Sequence, residues 1–255
     1  LSSFSINFGC ISNGSIAQFG GLTYFLSDDG FYVCDGQTVK NIGLEKVNRW
    51  FFENAIPDQL INAVSSTVDP VRKLVIWNFK NTFGGRYLLI YSIDLGKWSY
   101  GTTDIYNLSY GYTPSATLEQ VDNYNTSIDA LDIPLDSRLW AGGQLLAMGV
   151  REQKIVVISG AIKSAYVVSG DIDIGRSVVT LAKPIVDNGS ATVAVASRDL
   201  LNETIEFGTA VSADAENRCS LRSNGDYHRI KVTPTGSNWK TLVGVDVEIV
   251  KQGNR

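Results

Sequence analysis

The feature that most constrains the fold is a motif written three times in the first two thirds of the chain. Two apolar runs, each rich in β-branched and aromatic residues, are separated by a short polar turn. The first is Leu22-Thr23-Tyr24-Phe25-Leu26, turning through Ser27-Asp28-Asp29-Gly30 into Phe31-Tyr32-Val33-Cys34. Asp-Gly suits such a turn, because glycine takes positive φ at no steric cost and aspartate bonds nearby backbone amides. The second runs Leu74-Val75-Ile76-Trp77-Asn78-Phe79, a polar tip from Lys80 to Gly85, then Tyr87-Leu88-Leu89-Ile90-Tyr91 and a tail Asp94 to Trp98. The third is Gln144 to Met148, a charged tip Arg151 to Lys154, and Ile155 to Ile158. Hairpins recurring at a spacing of roughly 50 to 70 residues form a weak internal repeat.

Runs this apolar are read as strands buried on both faces, which suits β-propeller blades, where each small sheet packs face to face on the next. A stacked sandwich is the competing architecture. Asn48 to Asn62, containing Trp50-Phe51-Phe52-Glu53-Asn54-Ala55, is the best short-helix or turn candidate in an otherwise helix-poor chain. Thr113 to Asp136 reads as a polar surface excursion.

From about Asp173 the pattern changes to period-2 strands: Thr192 to Ala196, Thr204 to Phe207, and Val243 to Ile249. In the last, Val243, Val245, Val247 and Ile249 share one face and Asp246 and Glu248 the other, as a half-buried antiparallel strand requires. Asn188-Gly189 and Asn224-Gly225 read as turns between them. The expectation is an all-β chain: propeller-like blades over residues 1–172, followed by a small antiparallel β-sandwich over 173–255.

Composition supports many short strands and tight turns: 24 glycines, 11 tyrosines and 10 phenylalanines stand against one methionine. A net charge of −4 argues against a broadly basic nucleic-acid binder. No run approaches the roughly 20 apolar residues of a membrane-spanning helix. Cys10, Cys34 and Cys219 are odd in number and lack paired metal-knuckle spacing, so they read as free, mostly buried thiols suited to folding in a reducing cytosol. The chain opens on Leu1 with no signal-peptide pattern, and is expected to begin inside a longer gene product.

Material for chemistry is sparse. His228 is the one histidine, which excludes a multi-histidine metal site. Alternation places it on the face of Ile230 and Val232, so it reads as a packed, hydrogen-bonded core residue. Asp28-Asp29 reads as turn chemistry. Asp171-Ile172-Asp173 lacks the further ligands of a calcium loop. No glycine-rich segment has phosphate-loop spacing. Trp77, Trp98 and Trp140 read as core. No catalytic residue, cofactor or metal site is expected, and the chain is read as a non-enzyme. The one basic concentration is Arg218, Arg222, Arg229 and Lys231. Tyr227, Arg229 and Lys231 share a strand face that, with Arg222, is the candidate interface.

Phe8-Gly9-Cys10-Ile11-Ser12-Asn13-Gly14-Ser15, followed by Gly20-Gly21 and Phe25-Leu26-Ser27-Asp28-Asp29-Gly30-Phe31-Tyr32, resembles the signature of tail nozzle, or packaged-DNA stabilisation, proteins of short-tailed bacteriophages. The closing segment Arg222-Ser223-Asn224-Gly225-Asp226-Tyr227-His228-Arg229, with Trp239 and Gly244-Val245-Asp246-Val247-Glu248, is similar to the ending of such proteins. The resemblance implies a propeller with β-rich additions, assembled with copies of itself as a ring, often a hexamer, below the portal and adaptor. It implies a virion tail location after assembly in the host cytoplasm, contacts with the phage adaptor and other tail proteins, and genomic DNA passing through the lumen without sequence-specific binding. Three hairpins are fewer than a closed propeller needs, so earlier blades are expected outside this chain. The alternative is a carbohydrate-binding or receptor-binding tail protein on a propeller. No functional residue transfers with the resemblance.

Overall fold

The computed structural model describes residues 9–112, 145–158, 163–236, 238–239 and 241–253, with Val121, Ser127, Leu131 and Trp140. It is mostly antiparallel strand and divides into two compact units, Leu1–Gly160 and Ala161–Arg255. The boundary expected at 172/173 therefore lies inside the second unit. Val167–Val168 pairs with Val232 and Lys231, and so belongs to the second sheet system.

The first unit begins with a four-stranded meander: β1 (Ala17–Phe19), β2 (Leu22–Leu26), β3 (Phe31–Cys34) and β4 (Val39–Asn41). The Ser27 N–H bonds the Gly30 carbonyl across the turn at 2.8 Å. A helix, α1 (Asn48–Asn54), follows within the segment read as a short helix or turn, and a one-turn helix, α2 (Leu60–Ala63), comes soon after it. A second meander is built from β5 (Ser65–Asp69), β6 (Leu74–Lys80), β7 (Arg86–Ser92) and β8 (Lys97–Thr103). A third sheet holds β9 (Asn107–Tyr112), β10 (Leu145–Arg151) and β11 (Lys154–Val157) in the order β11-β10-β9. The β10–β11 turn is tighter than its charged tip suggests: Glu152 and Gln153 alone make it, at φ 48° and 63°. The polar excursion expected over 113–136 falls almost wholly outside the described residues.

Strand β6 explains why the hairpins are so apolar. Val75, Trp77 and Phe79 point into one core with Tyr24, Leu26 and Phe31 of the first sheet and Phe51 of α1. Ile76, on the opposite face, joins Ile105, Leu108 and Ala147 in a second core against the third sheet. A sheet buried on both faces cannot alternate polar and apolar residues, so the period-2 signal is lost in β6. Each fully buried large side chain here contributes roughly 1.5–3 kcal/mol relative to exposure. Phe31 sits at the centre of the first core, with its ring centroid 4.9 Å from both Phe51 and Trp77 and 5.2 Å from Trp98.

The N-terminal signature residues hold this core's joints. Ser15, fully buried, accepts the Leu26 N–H at 3.0 Å and donates to the Ser12 carbonyl at 2.7 Å. The Ser15 carbonyl in turn accepts the Trp77 indole N–H at 2.8 Å. At Gly14 a β-carbon would run into the Val64 carbonyl. Glycine and serine are required there by close approach and hydrogen bonding.

The second unit is one six-stranded sheet: β12 (Val167–Val168), β13 (Ile172–Val186), β14 (Ser190–Arg198), β15 (Val211–Ser212), β16 (Cys219–Thr235) and β17 (Leu242–Lys251). Its order is β15-β14-β16-β13-β17, with β12 paired to β16. Hydrogen bonding thus joins all six strands of the region read as a sandwich into one sheet. The long strands β13 and β16 carry hydrogen bonding continuously across the sheet, and register shifts at Asp173/Ser177 and Val179/Leu181 let it bend. Val179 and Ala182 of β13 thereby share a core with Val193 and Val195 of β14, although β16 lies between the two strands.

Three local expectations also change. Thr204–Phe207 is not a strand; this stretch has no ladder partner, and Gly208 N–H bonds the Val195 carbonyl at 3.0 Å. Asn224-Gly225 is not a turn but lies within β16, opposite Val178 and Ser177. Val243 is 73% exposed, because a register shift lets Leu242 pack inward in its place, while Val245, Val247 and Ile249 keep the predicted face. Among the thiols only Cys219 is buried; Cys34 is half-buried and Cys10 exposed. Among the described residues no helix is long and apolar enough to cross a membrane.

Candidate functional site

The four residues expected at an interface all lie on β16. From Tyr227 to Pro234 the strand alternates strictly: His228, Ile230, Val232 and Pro234 are buried, while Tyr227, Arg229, Lys231 and Thr233 point to the other face. Tyr227, Arg229 and Lys231 are therefore neighbours, as predicted. Arg222 is exposed but lies seven positions before Arg229, roughly 20 Å away along an extended strand. It does not join them.

Arg229 is already engaged. Its Nε and Nη2 donate to the two carboxylate oxygens of Asp171, each at 2.8 Å. Arg198, on the adjacent β14, reaches the same carboxylate at 2.7 Å and also donates to the carbonyls of Leu201 and Glu203 at 2.6 and 3.0 Å. Bidentate guanidinium–carboxylate pairing fixes orientation as well as charge. The Arg229 guanidinium, with help from Arg198, holds the Asp171 carboxyl at a pKa of about 2, and Asp171 raises that of Arg229. With both oxygens held by cations, Asp171 is not placed to ligate calcium. The trio clamps the segment entering β13, at residue 171, to β14 and β16.

Lys231 is held differently. Its ammonium lies 4.6 Å from the Tyr166 ring centroid and 5.8 Å from that of Phe207. Each contact of this kind is worth about 0.5–1 kcal/mol at an exposed site. Neither aromatic was legible as a partner of Lys231: Tyr166 lies on a segment with no strand pattern, and Phe207 closes a stretch whose alternation predicts a strand of its own.

Behind this face His228 is fully buried, as alternation predicts. Its Nε2 hydrogen-bonds Ser177 Oγ at 2.9 Å and its Nδ1 hydrogen-bonds Ser197 Oγ at 2.7 Å, with Ser223 Oγ a further 2.6 Å from Ser197. The serines come from β13, β14 and β16, so the imidazole cross-links three strands. Burial pushes its pKa below the usual value, opposed by the charge of Asp226. Serine–histidine contacts of this length also occur in nucleophilic sites. Here, however, Ser177 and His228 are both fully buried. The shallow depression beside Ser197, lined by Asp171, Arg198 and Arg229, has no volume that a water molecule could enter. The geometry suits a neutral structural histidine.

Asp28 and Asp29 serve the hairpin turn. Asp28 accepts from the Ser27 hydroxyl at 3.0 Å and Asp29 from the Tyr32 phenol at 2.6 Å. Among the described residues no group of three or more histidine, cysteine or acidic side chains is placed to hold a metal ion.

No family model matches the chain, and no curated protein matches it.

Proposed function

We propose that this protein is a structural component of a short-tailed phage tail, and that its first unit contributes propeller-like blades to an oligomeric nozzle ring. The ring conducts genomic DNA during packaging and ejection and retains it between the two. The observation that carries the reading is the stacking in the first unit: consecutive antiparallel meanders with the middle one buried on both faces. Blades of a propeller pack in this way. Of the residues behind the sequence resemblance, Gly14 and Ser15 sit where the first sheet meets the second, and the Asp28-Asp29-Gly30 turn is pinned within its hairpin and to Asn48 of α1.

A conduit also fits the electrostatics. The clamp on Asp171 engages Arg198 and Arg229, and the whole chain carries a charge of −4. A DNA-binding surface gains affinity from many phosphate contacts; a passage through which DNA slides works without them. Adaptor and neighbouring tail proteins would be the partners of such a ring. Native mass measurement of the assembly and electron microscopy of the particle test the reading. A defined ring on the tail axis is expected; a stable monomer, or density away from the axis, would sink it.

A further inference from the structure

The edge of the first unit where the terminal strands of its three sheets meet has an architecture that the conduit reading does not use. β1, β5 and β9 are the first strands of their sheets, and side-chain hydroxyls of β5 tie them together. Ser66 Oγ donates to the Ile16 carbonyl at 2.9 Å, Thr67 Oγ1 donates to the Ser109 carbonyl at 2.8 Å, and Ser65 Oγ accepts the Leu108 N–H at 2.9 Å. Hydroxyl bridges, unlike a ladder, let the strands splay. A groove of about 510 Å³ opens along them, within the usual range of about 300–1,000 Å³ for ligand sites.

Its lining is distinctive. Leu108, Tyr110 and Tyr112 lie on one side of β9; Leu108 is buried in the core, but the two tyrosines emerge into the groove at 67% exposure each. Two positions apart on a strand, their rings stand about 7 Å from one another. Gln18 and Ser66 face them with a carboxamide and a hydroxyl, Thr67 is buried in the groove wall, and none of the described lining residues is charged.

We propose that this groove binds an uncharged linear oligosaccharide. Tyrosine offers a flat apolar face with a polar tip, against which the C–H face of a sugar ring can stack. The carboxamide of Gln18 can both donate to and accept from sugar hydroxyls, and the Ser66 hydroxyl, whose own proton goes to the Ile16 carbonyl, can accept from them. Among the described lining residues an anionic ligand finds no compensating cation, so phosphate and nucleic-acid backbones are disfavoured. The rings are carried on a strand hydrogen-bonded to β10 over six residue pairs, which presents them with little ordering cost.

The test is calorimetric titration of the full chain with maltoheptaose, cellohexaose and chitohexaose, and with oligothymidylate as the charged comparison. At least one saccharide is expected to bind with Kd of about 1 mM or tighter. Tyr110→Ala and Tyr112→Ala should each weaken it about tenfold, while Tyr112→Phe, which keeps the ring, should retain most of the affinity. Tyr166→Ala, in the second unit, should leave it unchanged. Unaltered thermal midpoints of the tyrosine variants separate lost binding from lost folding. Absence of binding by all three sugars, affinity indifferent to both tyrosines, or tighter binding of oligothymidylate would overturn the assignment.

Discussion

The side-chain amide of Asn48 fills the space that a β-carbon on Gly30 would need. From there its Oδ1 accepts the Phe31 N–H at 3.2 Å, and its Nδ2 donates to the Asp29 carbonyl and to Asn41 Oδ1, each at 3.2 Å. One amide at the start of α1 thus pins the first hairpin turn and the end of β4. Gly43 approaches the same amide from the other side.

The glycine is therefore fixed twice over, by contact and by its φ of 150°. Gly30→Ala is expected to destabilise the first unit by about 1–3 kcal/mol through overpacking. Asn48→Ala should cost a similar amount, because it leaves the buried Phe31 N–H without its partner. The double variant should lose less than the sum, since the alanine at 48 makes room for the one at 30. Urea unfolding of the three variants measures this; additive losses would mean that the two residues act separately.

Trp77 links the N-terminal signature to the second sheet. It is fully buried, stacks on Trp98 with centroids 5.6 Å apart, and donates its indole N–H to the Ser15 carbonyl. Trp77→Phe keeps an aromatic ring but leaves that carbonyl without this donor, for an expected loss of about 1–3 kcal/mol. Trp77→Ala should cost about 3–5 kcal/mol by opening a cavity between the two sheets. Denaturant midpoints read both, and a loss under 1 kcal/mol for the alanine variant would contradict this packing.

The hairpins, α1 and the inward face of His228 were legible because local patterning decides them. What was not legible depends on distant neighbours. Asn188-Gly189 and Asn224-Gly225 are the same dipeptide, yet the first makes a turn, with Asn188 at φ 45°, and the second lies inside β16. Gly225 is where the backbone of Arg198 passes within about 3 Å of a β-carbon position, a constraint set by β14 and invisible from residues 224 and 225. Strand β9 was missed for a similar reason: its partner, Leu145 to Val150, is more than 30 residues further on. The candidate interface was read from the alternation of β16, but the carboxylate that occupies Arg229 comes from residue 171, brought alongside only when the sheet forms.

That carboxylate makes an acid-range prediction. The folded pKa of Asp171, about 2, lies below the ordinary 3.8 because Arg229 and then Arg198 bond the ionised form. A carboxyl depressed on folding adds stability above its unfolded pKa and loses it as pH falls toward the folded one. The contribution should therefore be full at pH 7 and fade between 3.8 and about 2. Asp171→Asn should lower the urea midpoint at pH 7, and the gap from the parent protein should close across that window. A gap that stayed constant would show that the charge is not the stabilising element.

His228 gives the opposite end of the scale a clean readout, because it is the one histidine in the chain. Its pKa is pushed below 6.5 by burial, against the pull of Asp226, so folding favours the neutral ring held by Ser177 and Ser197. The unfolded chain takes up this proton near 6.5 while the folded one resists it; stability should accordingly be fully present above 6.5 and decline as pH falls from there toward the folded value. The imidazole C–H resonances should titrate below 6.5 in the folded protein. His228→Phe should be less stable at every pH, with two serine hydroxyls stripped of their partner, and should flatten the decline between pH 7 and 5. A histidine titrating at or above 6.5, or an unchanged slope in the variant, would show that the ring is not held neutral by its burial among the three strands.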